Sequence, residues 1–203
     1  MNIEIKQLNK RDFNTARKFA IEGMHLNWYT NNNFELYIYS KYFWYLEVSR
    51  ATRALGAYIG DKLVGVLLVD IDNQPKVFNS IGYRLFIKFS SFIINLLYKN
   101  ASNTYDNANK EILEKFKKNN ETDGELNFFA VDPTIKGKGI GTLLLKELEK
   151  KEKGKQIYLY TDTGSTYQFY LHRGFIESGR KDVQIKIGNR EVPLTCYLFS
   201  KTL

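Results

Sequence analysis

The turn Lys136-Gly137-Lys138-Gly139-Ile140-Gly141-Thr142 is the part of this 203-residue chain best suited to holding an anion. It lies between a segment that alternates like a strand, 124–131, and one that reads as a helix, 143–154. Glycine carries no Cβ, so a ligand can approach the backbone closely there. N–H groups at a helix start point toward such a ligand, with the positive end of the helix dipole behind them. Phosphate is the chemistry this favours. Spacing excludes two familiar phosphate loops. A P-loop needs four residues between its glycines, then Gly-Lys-Ser/Thr, and the dinucleotide fingerprint needs a third glycine where this chain has Leu144. A tight strand-to-helix connection without a ligand is the competing reading of the turn taken alone.

Other reactive side chains are few. Cys196 is the single cysteine, so no intrachain disulfide forms, which fits a cytoplasmic protein in a reducing compartment. A covalent acyl-cysteine route would want an adjacent base, and none is evident. His172 follows Tyr170 by two positions, which turns it to a different helical face, toward solvent. No His, Cys, Asp or Glu stand at metal-ligand spacing, so no metal is expected.

The elements that must position these residues follow from periodicity. Residues 2–8 alternate around Ile3 and Ile5 and predict a short strand. Apolar residues mostly three and four apart predict a helix over 11–24, and a second, rich in aromatics, over 33–48. Apolar runs at 54–59 and 63–71 flank Gly60-Asp61 and predict a hairpin. Two helices are expected within 74–121, at 81–98 and 105–118. A strand follows at 156–162, a short helix at 165–173, and two strands around a turn at Gly188-Asn189. One domain over 1–203 with a helical insertion at about 74–121 accommodates all of this, since domains typically take roughly 100–200 residues.

Two motifs carry a family resemblance. Lys136-x-x-Gly139-x-Gly141 resembles the Arg/Gln-x-x-Gly-x-Gly/Ala signature of the GNAT acetyltransferase superfamily, with Lys in place of Arg or Gln. Tyr170-x-x-x-Gly174-Phe175 resembles the family's Tyr-x-x-x-Gly-Phe, one helix and one strand further on. The resemblance is specific over about 120–177. It implies a mixed α/β (α+β) fold with a mostly antiparallel central sheet of about seven strands flanked by helices. The helical insertion then falls between the third and fourth strands, where the family usually has a short hairpin.

The resemblance also implies chemistry: an N-acetyltransferase moving an acetyl group from acetyl-CoA, the acyl donor, to a primary amine by direct attack. It places the pyrophosphate on Lys136, Gly137, Lys138, Gly139, Ile140, Gly141 and Thr142, and the pantetheine arm along Phe129, Ala130 and Val131. Thr163 occupies a position where the family commonly has a pantetheine-contacting Asn. Tyr170 takes the part of general acid, its phenol being protonated at neutral pH; packing between helix and sheet is the other reading of this residue. Glu125 stands as a general base or as a solvent-facing carboxylate. Asp162 is an alternative base or an amine anchor. His25, Trp28 and Tyr29 fall where relatives build the acceptor wall, or else pack in the core. A cofactor-binding sensor without turnover remains as an alternative.

The net charge of +8 raises the question of a polyanionic partner. Residues 76–120 hold eight Lys or Arg against three Asp or Glu, so five of the excess charges sit in the insertion. No nucleic-acid motif accompanies them, and no nucleic-acid partner is expected. No 18-residue apolar run exists, the nearest being 85–98 with Lys88 and Asn95 inside it, and the N-terminal residues lack a signal-peptide core. No membrane partner is therefore expected; the acceptor is a small-molecule or peptide amine. Three readings stand for the insertion: it caps the domain or roofs the acceptor pocket, it pairs two copies as a homodimer, or it lies on a membrane surface. The first has the better prior.

Overall fold

The computed structural model describes residues 2–24, 26–28, 32–97, 104–135, 137–187 and 190–203, with the backbone alone at 28, 93–97, 186–187 and 190. The strands are β1 (Glu4–Gln7), β2 (Arg53–Ile59), β3 (Lys62–Ile71), β4 (Gly124–Val131), β5 (Gln156–Asp162), β6 (Ile176–Ile187) and β7 (Arg190–Thr202). They form one seven-stranded sheet in the order β1-β2-β3-β4-β5-β7-β6. The β1–β2, β2–β3, β5–β7 and β6–β7 pairs are antiparallel, and β4–β5 is parallel. This is the mixed, mostly antiparallel α/β fold that the sequence implied. The helices are α1 (Phe13–Gly23), α2 (Asn33–Arg50), α3 (Ile81–Leu97), α4 (Thr104–Lys117), α5 (Ile140–Lys151) and α6 (Gln168–Leu171). Contacts divide the chain into two compact units, Met1–Asn100 with Leu126–Lys151, and Ala101–Glu125 with Glu152–Leu203.

In the first unit, α1 buries Phe13, Ala16, Phe19 and Ala20, the stripe that three- and four-residue spacing produces. Phe13 meets Trp44 edge-on at 5.3 Å and Phe78 at 5.0 Å. Trp44 in turn meets Phe128 at 5.4 Å, so α1, α2 and β4 share one aromatic core. Asn32 caps α2 by accepting from the N–H groups of Phe34 and Glu35. The β2–β3 hairpin turns at Gly60-Asp61 as expected. β3 is buried from Leu63 to Val69 without alternation, the mark of a central strand covered on both faces.

The insertion forms its two helices. Along α3, Arg84 and Lys88 are exposed. In the fold Tyr83 and Phe86 pack on Tyr45 of α2, at 4.5 and 5.3 Å, and Ser90 is buried. The opposite face carries Ile81, Leu85, Phe89 and Phe92 into solvent. Stacking on α2 has fixed the rotation of a helix that is apolar nearly all round.

In the second unit, α4 buries Ala108, Ile112 and Phe116 with Tyr158, Cys196 and Leu198. Its Tyr105 hydroxyl donates to Asp162 at 3.0 Å. The β6–β7 ladder runs from Ile176↔Ser200 to Ile187↔Arg190; its turn at Gly188-Asn189 lies outside the described residues.

Candidate functional site

The first unit holds the glycine turn. Along β4 burial alternates, with Leu126, Phe128 and Ala130 turned into the core and Asn127, Phe129 and Val131 on the partly exposed face. Asp132 then leaves the strand and is pinned from several sides. Its N–H donates to Val64 O at 2.9 Å. Its carboxylate accepts the Thr134 N–H at 3.0 Å and the Thr134 hydroxyl at 2.6 Å, and Lys62 lies 3.1 Å from the other oxygen. The Thr134 hydrogen bond, aided by Lys62 against the cost of burial, holds this carboxyl below its ordinary range.

Beyond it, Gly137 and Gly139 adopt φ +70° and +69°, a left-handed conformation costly to any residue with a Cβ. A Cβ placed on either would meet nothing within 4 Å, so both backbones face open space. The first helical hydrogen bond of α5 runs from Leu143 N–H to Gly139 O at 3.0 Å. The N–H groups of Ile140 and Gly141 precede it and have no helical carbonyl behind them. Helix α5 therefore begins three residues earlier than expected, inside the glycine turn. Its Ile140 and Leu144 are buried over β3, where Gly65 makes room: a Cβ there would stand 2.9 Å from Ile140 Cγ2 and 3.1 Å from Leu144 Cδ1.

The second unit holds the tyrosine motif. Helix α6 is shorter than expected, four residues rather than nine. Arg173 and Phe175 both return their N–H groups to Tyr170 O, at 2.9 and 3.2 Å, so the motif closes on itself. The Tyr170 ring stands edge-on to Phe169, Phe175 and Phe199 at 5.3, 5.6 and 6.4 Å. Burial among these rings pushes its hydroxyl well above the ordinary phenol value. Glu125 is the second residue of β4, paired with Tyr158, whose hydroxyl lies 3.4 Å from Oε2. Asp162 accepts Gly164 N–H at 2.8 Å on one oxygen and Tyr105 on the other. Thr163 exchanges bonds with Thr195 in both directions at 3.1 Å. Both threonines line a shallow groove of about 410 Å³ with Asp182, Gln184 and Pro193.

Cys196 is fully buried, and its thiol is pushed up to about 12 by burial first and by Asp162 and Asp182 next. His172 is exposed at the end of α6. Lys136, His25 and Tyr29 lie outside the described residues, and Trp28 is described only as the last backbone position of a short 3₁₀ turn. Among the described residues no group of His, Cys, Asp and Glu could hold a metal ion.

Sequence reasoning missed Asp132, Thr134, Lys62 and Gly65. Asp-Pro followed by Thr is a turn-initiating signal that flags the first two. Nothing local flags Lys62 or Gly65, whose part depends on which strand lies beneath α5. Also missed was Asn127, whose Nδ2 donates to Glu47 of α2, at 3.0 Å to the carbonyl and 2.7 Å to the carboxylate.

A family model described as the acetyltransferase (GNAT) family matches residues 19–175. No curated protein matches the sequence significantly. Among solved structures the chain is similar to histone acetyltransferase HPA2 and related acetyltransferase from Corynebacterium glutamicum, at 15% identity and a TM-score of 0.57 over 98% of this chain and 96% of that one. It is similar to PH1933 from Pyrococcus horikoshii at 20% identity and 0.56, over the whole of both chains. PaiA N-acetyltransferase from Thermoplasma acidophilum, crystallised with coenzyme A, matches over both full chains at 18% and 0.53. At these identities the likeness is one of fold.

Proposed function

The chain belongs to the acetyltransferase (GNAT) family, whose acyl donor is acetyl-CoA, and from that premise we propose that it acetylates a primary amine by direct attack in a ternary complex, with Tyr170 as general acid. The observation that carries this reading is the turn at 137–141 opening straight into α5. Its two left-handed glycines face open space, and its first-turn N–H groups lack helical acceptors. A pyrophosphate fits such a place on charge and on room.

Gly137, Lys138, Gly139, Ile140, Gly141 and Thr142 hold the phosphates in this proposal, with Lys136 supplying a cation. Phe129, Ala130 and Val131 offer β4 backbone to the pantetheine arm, and Thr163 stands as a further contact. The donor supplies a thioester carbon open to attack. As the N–C bond forms and the C–S bond breaks, Tyr170 gives its proton to the departing sulfur. A phenol raised above its ordinary value stays protonated through the neutral range and so keeps that proton to give.

Glu125 receives the amine's proton, through water where the distance requires it. Asp162 anchors the acceptor: each carboxylate oxygen has about two lone-pair sites, and the two bonds described leave capacity for an ammonium. Trp28 and Tyr29 belong to the acceptor wall. The acceptor itself is a small-molecule or peptide amine, and the single buried thiol suits a cytoplasmic setting.

The test is thiol release from acetyl-CoA across a panel of primary amines, with Tyr170→Phe alongside. Loss of a general acid lowers kcat by about 10²–10⁴, with KM for acetyl-CoA unchanged. Unchanged turnover in Y170F would overturn the acid assignment. An unmodified chain that binds acetyl-CoA yet turns over no amine would be a sensor instead.

A further inference from the structure

Helix α3 exposes a row of large apolar side chains: Ile81 is 69% exposed, Leu85 63%, Phe89 66% and Phe92 64%. Their spacing of four, four and three places them on one face, along roughly 16 Å of a helix rising about 1.5 Å per residue. Arg84 and Lys88 flank this row, both exposed, and among the described residues neither forms an ion pair. The surrounding sequence sharpens the sign of the charge. From Asn73 to Tyr105 there are four Lys or Arg and no carboxylate over 33 residues.

Burial in the chain's own core does not account for the row, because α3 already packs on α2 through Tyr83 and Phe86. A membrane-spanning role is excluded for the described helices, none of which is long and apolar enough to cross a bilayer. What an aromatic and aliphatic face rimmed by unpaired cations fits is the boundary between acyl chains and anionic headgroups. The apolar row enters the acyl boundary and the cations stay at headgroup level.

We infer that α3 docks this protein on anionic phospholipid surfaces, lying in the interface plane with Leu85, Phe89 and Phe92 inserted and Arg84 and Lys88 against the headgroups. This departs from the expectation of no membrane partner and takes up the membrane-surface reading of the insertion. It is independent of the acetyl-transfer proposal.

The test is cosedimentation of the full chain with vesicles of phosphatidylcholine alone and of phosphatidylcholine mixed with phosphatidylglycerol. The chain should pellet with the mixed vesicles only and be released by salt. Each cation near an anionic surface is worth roughly fivefold in binding, so R84Q/K88Q should bind about twenty-five-fold more weakly. L85S/F89S should lose more than tenfold. All four side chains are exposed, so both variants should melt with the wild type, and a melt confirms it. Equal binding to neutral vesicles, no binding, or undiminished binding by L85S/F89S would overturn the inference. So would self-association without vesicle binding that L85S/F89S abolishes, since the face would then belong to a second copy of the chain.

Discussion

Adding one methyl group at Gly65 should loosen the end of α5 proposed to hold the phosphates without substituting any residue of the glycine turn. The Cβ of Gly65→Ala would sit 2.9 Å from Ile140 Cγ2 and 3.1 Å from Leu144 Cδ1, with Ala130 O at 3.6 Å on a further side. Carbon pairs prefer roughly 3.5–4.0 Å, so both contacts are about half an ångström or more too short. The Leu144 tip can swing, but Ile140 is β-branched and stiff at χ1, and both side chains are buried. The helix start must therefore lift. Overpacking of this kind costs about 1–3 kcal/mol, which for a chain of this length lowers Tm by roughly 2–12 °C. The N–H groups of Ile140 and Gly141 move with the helix. Losing one hydrogen bond to a charged ligand, about 1.5 kcal/mol, is roughly tenfold in affinity. Thermal melting and the KM for acetyl-CoA, read by thiol release, should shift together while kcat changes little. G65A/I140A removes the stiffer clash, so it should be less destabilised than the two single costs summed. An unchanged Tm and KM in G65A, or strictly additive costs in the double variant, would refute the reasoning.

Asp132→Ala removes both Thr134 bonds and the Lys62 contact and should cost about 2–3 kcal/mol at neutral pH. Because the folded carboxyl is held below its unfolded value of about 3.9, its contribution is present above that pH and is lost as pH falls through the folded value. The wild-type advantage in urea titrations should shrink in strong acid, and a gap that persists unchanged there would contradict the pinning. Tyr105→Phe deletes the hydroxyl that donates to Asp162 and should cost about 1.5–3 kcal/mol, with faster amide exchange in α4; equal stability would show that this bond holds nothing. Cys196 is buried with its thiol pushed up to about 12, so a thiol reagent should leave it intact in the native protein and titrate one equivalent after unfolding. Cys196→Ala should keep full turnover, and a large loss would revive an acyl-cysteine route.

What the sequence made legible was local. The alternation of 124–131 is the burial pattern of β4, because one face of that strand packs on Trp44 and Phe43 while the other does not. Gly60-Asp61 announced its hairpin because a turn of that kind needs a residue tolerant of positive φ. Period alone failed where a helix is apolar on most of its circumference. For α3 the stack of Tyr83 on Tyr45 decided which face turned outward, and that partner lies 38 positions away. Helix α5 starts earlier than propensity alone predicts, for the opposite reason. Gly139 and Gly141 weigh against a helix by propensity, yet Ile140 and Leu144 are buried on β3, and that packing outweighs the penalty.

The N–H groups of Ile140 and Gly141 precede the helical hydrogen bonds of α5, so those bonds alone do not position the turn. Its position has to be imposed from outside. Three near-consecutive residues of β3 impose it. Lys62 reaches the carboxylate of Asp132, Val64 O takes the Asp132 N–H, and Gly65 admits Ile140 and Leu144. Asp132 and Ile140, on either side of the two left-handed glycines, are thus tied to one short stretch of β3. A motif search sees the glycines because their conformational need is local. It misses Lys62, Val64 and Gly65, although the geometry of the proposed phosphate site depends on them as much as on the glycines. Substitutions in that stretch of β3 should therefore disturb donor binding before they disturb the fold.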